Sequence, residues 1–433
     1  MPASVCRFHG RLLVYALILS LLASCTPSHE RPAVTPIPTT ALPISQGSTN
    51  APIPRVEGAH LVNAVSEKEL RLVGFDVPGT ESACVLDQGF GLGPMNEAEA
   101  QAIAAKHANV VRVPLNEDCW LGINGMPESY AGAAYQTAIA NWVRLLNHVG
   151  LAVVLDLHWS APGTTKATGQ WPMPDADHSV LFWSQVASTF RSDPSVIFDL
   201  FNEPDAGRQN PTSADWECWR NGCTGTFQKC TSQQTPTASA SGLATSGTPG
   251  PKCIAVTYKA AGMQQLLDAV RSAGAEQAVM VAPLANASDF CGMQSAIEGS
   301  AQECPWLLWM PSDPDQQVIA SFHVYPSVPC SKESCWNASV ATVASQVPVI
   351  TGEMGEMDCT ATFVQSYMSW ADEHDISYLG WAWDPGRAGV DAAAEACSTH
   401  LVSTFLGAPG TPAGRALFEN LQALYQRFGP TLN

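Results

Sequence analysis

Eight short β-rich runs alternate with helical patterns along this chain, and that alternation leaves few folds open. The runs cover residues 70–77, 109–115, 152–159, 196–203, 278–284, 318–325, 348–353 and 376–383. Helical periodicity lies between them. Ala138, Trp142, Leu145, Leu146 and Val149 recur at helical spacing, and Gly150 closes that helix. Phe182, Val186 and Phe190 repeat the pattern, and residues 254–273 and 362–373 are predicted as further helices. Strands that alternate with helices form a parallel sheet, and eight is the number that closes it into a barrel. A doubly wound open sheet is the alternative, but no Gly-rich phosphate turn follows any run. The expected fold is therefore α/β, a (β/α)8 TIM barrel.

One connection breaks the rhythm. Residues 205–252 show no clear helix or strand pattern and far exceed the ~15 residues beyond which loops are usually functional or disordered. The first part holds Trp216, Trp219 and several Cys, and residues 231–251 are a Ser/Thr/Ala/Gly/Pro stretch. This long insertion after strand 4 is expected to overhang the face on which that strand ends.

The N-terminal segment reads as targeting sequence. Arg7 and Arg11 precede an apolar run at residues 12–22, and Leu22-Ala23-Ser24-Cys25 follows. The run is too short for a membrane span of ~20 residues. Its ending is that of a lipoprotein-type signal peptide, residues 1–25, with Cys25 lipidated at the membrane. An ordinary cleaved signal is the alternative. Residues 26–57, rich in Pro, Thr and Ser, read as a disordered tether, and 58–433 as the catalytic domain. The chain is thus expected to be exported, as a cell-surface or periplasmic lipoprotein, and to act as a monomer.

A formal charge of −18 argues against nucleic acid and anionic lipid as partners and suits a neutral substrate. Of 14 Cys, removing Cys6 and Cys25 leaves 12, an even number that favours disulfides in an exported chain. The candidate local pairs are Cys218/Cys223, Cys230/Cys253, Cys291/Cys304 and Cys330/Cys335, with Cys84/Cys119 and Cys359/Cys397 as longer-range candidates, and spacing alone does not fix the connectivity. Zinc finds no Cys-x-x-Cys repeat to support it.

Polar side chains collect where the runs stop: Arg112 in the second, Asp156 and His158 in the third, Asn202 and Glu203 at the end of the fourth, His323 and Tyr325 in the sixth, Glu353 in the seventh, and Trp381 and Trp383 in the eighth. In a parallel barrel the carboxyl ends of the strands form the catalytic face. His323 and Tyr325 share a strand face, as do Asp156 and His158. Asn202 and Glu203 are neighbours, so both can face the cleft only where the strand is irregular. Carboxylates on the fourth and seventh strands can meet across a barrel mouth, and paired carboxylates are what glycoside hydrolysis needs. Glu356 is a rival to Glu353 but reads better as a helix-start acid.

The segments Arg112-Val-Pro-Leu-Asn116, Asp156-Leu-His158, Phe201-Asn-Glu-Pro204, His323-Val-Tyr325, Gly352-Glu353 and Trp381-Ala-Trp383, in this order, resemble glycoside hydrolase family 5, the cellulase family. The resemblance runs from about residue 58 to the end and implies a retaining endo-β-glycanase without a cofactor or metal. The favoured substrate is a β-1,4-glucan, with β-mannan or another β-glycan as alternatives. It implies Glu203 as acid/base, Glu353 as nucleophile and Asn202 as the residue that bonds the sugar 2-hydroxyl. Arg112 would support the nucleophile electrostatically, or pair with a buried acid such as Asp156. His158 and His323 would line the reacting-sugar site, Tyr325 would lie beside the nucleophile, and Trp381, with Trp383, would form the aromatic platform. The insertion after Pro204 and the sequence Pro283-Leu-Ala-Asn286, which lacks a Trp, depart from the family pattern. A non-catalytic carbohydrate-binding lipoprotein and a metal-dependent barrel hydrolase are the competing classes.

Overall fold

A computed structural model describes residues 50–208, 210–231, 252–292, 304–386 and 398–429. The signal segment, Cys25 and the tether up to residue 49 lie outside them, as do residues 232–251 of the insertion and Cys397. In chain order the strands are β1 (Pro54–Glu57), β2 (His60–Asn63), β3 (Val73–Asp76), β4 (Val110–Asn116), β5 (Ala152–Trp159), β6 (Val196–Asp199), β7 (Cys223–Thr231), β8 (Lys252–Ala260), β9 (Val279–Val281), β10 (Val318–Val324), β11 (Val349–Met354) and β12 (Ser377–Gly380). Eight of them close in the order β3-β4-β5-β6-β9-β10-β11-β12, every pair parallel. This is the (β/α)8 barrel, with one strand from each of the eight runs.

Strand alternation sorts the barrel's side chains into two sets. Val110, Ala152, Val154, Ile197, Met280, Ile319, Ile350 and Leu379 fill the lower interior, and Leu61 of the β1–β2 hairpin joins the same cluster. Two residues further along β4, β5 and β6, on the same face, come Arg112, Asp156 and Asp199. The lumen therefore changes from apolar to charged toward the carboxyl ends. The opposite face of each strand packs against the helices in a second, larger cluster.

Two expectations need correction. The end of the predicted tether is folded: Pro54–Glu57 pairs with β2, and Val56 and Gln317 exchange hydrogen bonds between backbone and side-chain amide. A Pro-rich composition does not prevent a short strand when it covers apolar surface. The helix predicted over 254–273 is a strand followed by a shorter helix, Met263–Ser272. Ile254, Val256 and Tyr258 alternate with Ala255, Thr257 and Lys259, and this period of two pairs β8 antiparallel with β7 from Cys223↔Ala260 to Thr231↔Lys252. The insertion therefore extends beyond the expected residue 252 to Ala260 and contains a helix, Ser213–Asn221, and a long hairpin.

Five disulfides form as the pairing by position expected: Cys84–Cys119, Cys218–Cys223, Cys230–Cys253, Cys291–Cys304 and Cys330–Cys335. Cys359 is disulfide-bonded as well.

Candidate active site

Arg112 is the hub of the barrel mouth. It is fully buried and touches Asp76 at 3.1 Å, Asp156 and Asp199 at 3.0 Å and Glu353 at 2.8 Å, and it also donates from Nη2 to Asn202 Oδ1 at 2.8 Å. Burial works against its charge, but Asp156, Asp199, Glu353 and Asp76 together outweigh burial and raise its affinity for the proton. Burial raises the affinity of Asp76 and Asp199 for protons, Arg112 opposes that rise, and neighbouring carboxylates add to it. Sequence reasoning missed Asp76 and Asp199. Their signal was a charged residue inside an otherwise apolar run, Phe75-Asp76-Val77 and Phe198-Asp199-Leu200.

Glu353 receives a donor on each oxygen. Arg112 Nη1 donates to Oε1, and the Tyr325 hydroxyl donates to Oε2 at 2.7 Å. Burial, then the charge of Glu353, pushes the Tyr325 phenol well above its ordinary value and keeps it a donor. Two glycines make room for this packing. A Cβ on Gly352 would lie 3.0 Å from His323 Nε2, and one on Gly355 would lie 2.8 Å from the Tyr325 ring. The β10–β11 register shifts between Phe322 and His323, and His323 then pairs with Glu353.

Glu203 lies beyond its strand. β6 ends at Asp199, the Asn202 N–H still donates to the Leu157 carbonyl at 3.0 Å, and Glu203 adopts a left-handed φ of 49°. This is the irregularity that allows neighbouring Asn202 and Glu203 both to belong to the site. Ala285, Asn286 and Ala287 are also left-handed, and their turn ties three strand ends together. The Asn286 N–H donates to the Pro204 carbonyl at 3.1 Å, and the Ala287 carbonyl accepts from the His323 N–H at 2.8 Å.

Burial raises Glu203 from the usual carboxylate range to about 7, against the pull of His158 and Arg112. His323 Nδ1 lies 3.2 Å from Glu203 and 3.6 Å from Glu353. Burial lowers His323 to about 4, so its ring is uncharged at neutral pH. Oxygens of Glu203 and Glu353 and a ring nitrogen of His323 all fall within 4.8 Å of one another. His158 stands apart, with Nδ1 2.6 Å from Asp156. Burial opposes its charge, but Asp156 wins and raises it. Its ring is parallel to Trp381 at 5.5 Å.

The eighth strand departs from expectation. Trp381 is half-buried beside His158, but Trp383 is fully buried outside the barrel against Phe75 and Phe418, at 5.2 and 6.1 Å. Regular pairing ends at Gly380, so alternation no longer puts both rings on one side. Trp383 is a packing residue rather than part of a platform. Trp171, Trp216 and Trp219 are likewise buried. Glu356 is the helix-start acid expected: it accepts from the N–H groups of Phe363 and Val364 at 2.7 and 3.0 Å. Among the described residues, Glu117, Asp175 and His178 form a second group with acidic and imidazole ligand atoms close together.

A barrel that presents two acids in unlike environments across its mouth is built as glycoside hydrolases are. The chain belongs to the cellulase family, glycosyl hydrolase family 5, whose model matches residues 74–387. No curated protein matches the sequence. Solved structures share the fold. A β-glucanase from Saccharophagus degradans aligns with a TM-score of 0.55 at 14% identity, over 86% of this chain and 94% of that one. The catalytic domain of endoglucanase Cel5A from Thermobifida fusca, solved with cellotetraose, aligns with 0.55 at 13% identity, over 86% and 97%. A β-mannanase from Thermomonospora fusca aligns with 0.51 at 17% identity, over 84% and 97%.

Proposed function

We propose that this glycoside hydrolase is a retaining endo-β-1,4-glucanase, with Glu353 as nucleophile and Glu203 as acid/base. The observation that carries the retaining assignment is the approach of the two carboxyl groups, with oxygens within 4.8 Å. Retaining enzymes hold them about 5–5.5 Å apart, and inverting enzymes leave a wider gap for water. In the first step protonated Glu203 delivers its proton to the glycosidic oxygen as Glu353 attacks the anomeric carbon. The leaving sugar departs as an alcohol, and a glycosyl ester forms on Glu353. In the second step ionised Glu203 takes a proton from water, whose oxygen attacks the anomeric carbon. The ester bond breaks, Glu353 is freed and Glu203 is protonated again. Arg112 and Tyr325 hold the attacking carboxylate, Asn202 bonds the 2-hydroxyl, and His158, His323 and Trp381 line the reacting sugar.

A panel of β-glucan, mannan, xylan and xyloglucan, with the first product anomer followed by NMR, tests both parts. The expected result is fastest turnover of β-1,4-glucan with a β-anomer formed first. An α-anomer first would overturn the retaining mechanism, and turnover of mannan alone would overturn the substrate.

The environment of Glu203 also sets a pH dependence. As the acid it must start protonated, so kcat/KM is expected to fall as pH rises past about 7. Because its folded value lies above its unfolded one, Glu203 lowers stability as pH rises from the usual carboxylate range through about 7. Glu203→Gln removes this dependence. It is expected to abolish turnover of unactivated glucans and to raise Tm relative to wild type at pH 8 but not at pH 4. An unchanged Tm difference across that range would contradict the raised proton affinity.

We further propose export with a lipid on Cys25, on the basis of Arg7, Arg11 and the Leu22-Ala23-Ser24-Cys25 ending. Cys25→Ala is expected to move the protein from the membrane fraction to the soluble fraction; retention in the membrane would refute the anchor.

A further inference from the structure

We propose that Gln170 is a positioning residue for the acid/base end of this site and that the insertion after Pro204 is the brace that holds it. The inference rests on the roles given above to Asn202 and Glu203.

Gln170 lies between β5 and the helix Ser179–Phe190, with its side-chain amide set against the Asn202–Glu203 peptide. Its Nε2 donates to the Asn202 carbonyl, reaches the Glu203 carbonyl at 3.5 Å, and meets the Trp171 carbonyl at 3.2 Å. Its Oε1 accepts from Asn202 Nδ2 at 3.1 Å. Asn202 Oδ1 accepts from Arg112. A guanidinium can only donate, so the Asn202 oxygen faces Arg112 and its NH2 group faces Gln170. The amide is fixed from both ends, and one N–H remains for a sugar hydroxyl.

The same clamp acts on the main chain. The left-handed conformation of Glu203 is sparsely populated for residues with a Cβ and persists only where the surroundings enforce it. β6 has ended four residues earlier, at Asp199, so no regular ladder holds the Glu203 carbonyl. Gln170 supplies a donor to the carbonyls on both sides of the turn.

The insertion fixes the segment that carries Gln170. Asp205 donates its N–H to the Pro172 carbonyl at 2.7 Å, Ala261 to Pro174 at 2.9 Å, and Ala176 to Lys259 at 2.9 Å. The Tyr258 hydroxyl accepts from the Met173 N–H at 2.9 Å and donates to the Met173 carbonyl at 2.8 Å. Trp171 packs edge-on against Tyr258, and the Lys229 ammonium lies 4.0 Å from the centre of the Trp171 ring. Residues 171–176 are thus bonded along the hairpin that follows the acid/base, and Gln170 immediately precedes them in the chain.

Gln170→Ala, assayed on aryl cellobiosides with good and poor leaving groups, tests the assignment. The expected result is a kcat lowered about 10- to 100-fold, with KM within about two-fold. The loss should be larger for the poorer leaving group, which depends more on acid assistance. Gln170→Glu keeps the acceptor for Asn202 but sets a carboxylate against the carbonyls of Trp171, Asn202 and Glu203. Its activity is expected to recover toward wild type as pH falls and the introduced carboxyl protonates. This isosteric variant carries the test alone if the Ala variant does not fold. Wild-type kcat in Gln170→Ala, an equal loss for all leaving groups, or no recovery of Gln170→Glu at low pH would overturn the proposal. If Glu203→Gln is inactive while Gln170→Ala is normal, only the positioning role falls. If Glu203→Gln is fully active, the reading of the site itself falls.

Discussion

Glu353→Ala is expected to lower kcat by at least about 10⁴-fold, as loss of a nucleophile does where the remaining groups still bind and polarise the substrate. The variant leaves Arg112 with three aspartates and Tyr325 without its acceptor, and it opens a space where Oε1 and Oε2 stood. A small anion can enter that space. With azide and an activated aryl β-cellobioside, attack from the nucleophile's side displaces the leaving group once and gives an α-glycosyl azide. Glu203→Ala is different. Glu353 still forms the glycosyl ester with an activated substrate, azide attacks from the opposite side, and the product is the β-azide. The two anomers identify which carboxylate does which task. Exchanged anomers would reverse the assignment, and no rescue with full residual activity would remove it.

Arg112→Met is expected to destabilise the fold by about 3–5 kcal/mol at pH 7, the loss seen when one partner of a buried charge pair is removed. The size follows from what Arg112 faces. It is the shared cation for Asp76, Asp156, Asp199 and Glu353, and the side chains of Asp76 and Asp156 are wholly buried. Burial already makes Asp76 and Asp199 bind protons more tightly in the folded state, and losing Arg112 removes the charge that opposes this rise. Their contribution is then least unfavourable at acid pH, and stability falls as pH rises through their folded-state values. The deficit in Tm should shrink between pH 7 and pH 4. A constant deficit would show that lost packing, rather than unpaired charge, governs the effect. Activity should fall too, since Glu353 and Asn202 both lose their Arg112 contact.

Much of this site was legible before the fold was known. Residues at the carboxyl ends of buried runs must reach the same face of a parallel barrel, and Arg112, His158, Asn202, Glu203, His323, Tyr325, Glu353 and Trp381 do converge there. Glu356 was separable from Glu353 because its position suits the start of the helix Thr362–Glu373. Trp383 was misplaced because alternation was extended past Gly380, where the ladder stops. One residue of irregularity moves a side chain to the other face. The hairpin of the insertion was missed in part because its two strands flank a Ser/Thr-rich stretch. A helical reading then absorbed the second strand.

The sequence by itself pointed to the barrel through its alternating strand and helix periods, to candidate Cys pairs through spacing that does not fix connectivity, and to the two acids through their places at the ends of runs and the family resemblance. The tertiary structure alone decided that Arg112 gathers acids from β3, β5, β6 and β11, that burial raises Glu203 while Glu353 receives two donors, and that Gln170 clamps Asn202. These are contacts between distant strands and loops. Their geometry depends on register shifts, a left-handed turn and the depth of burial, none of which has a local signature in the chain.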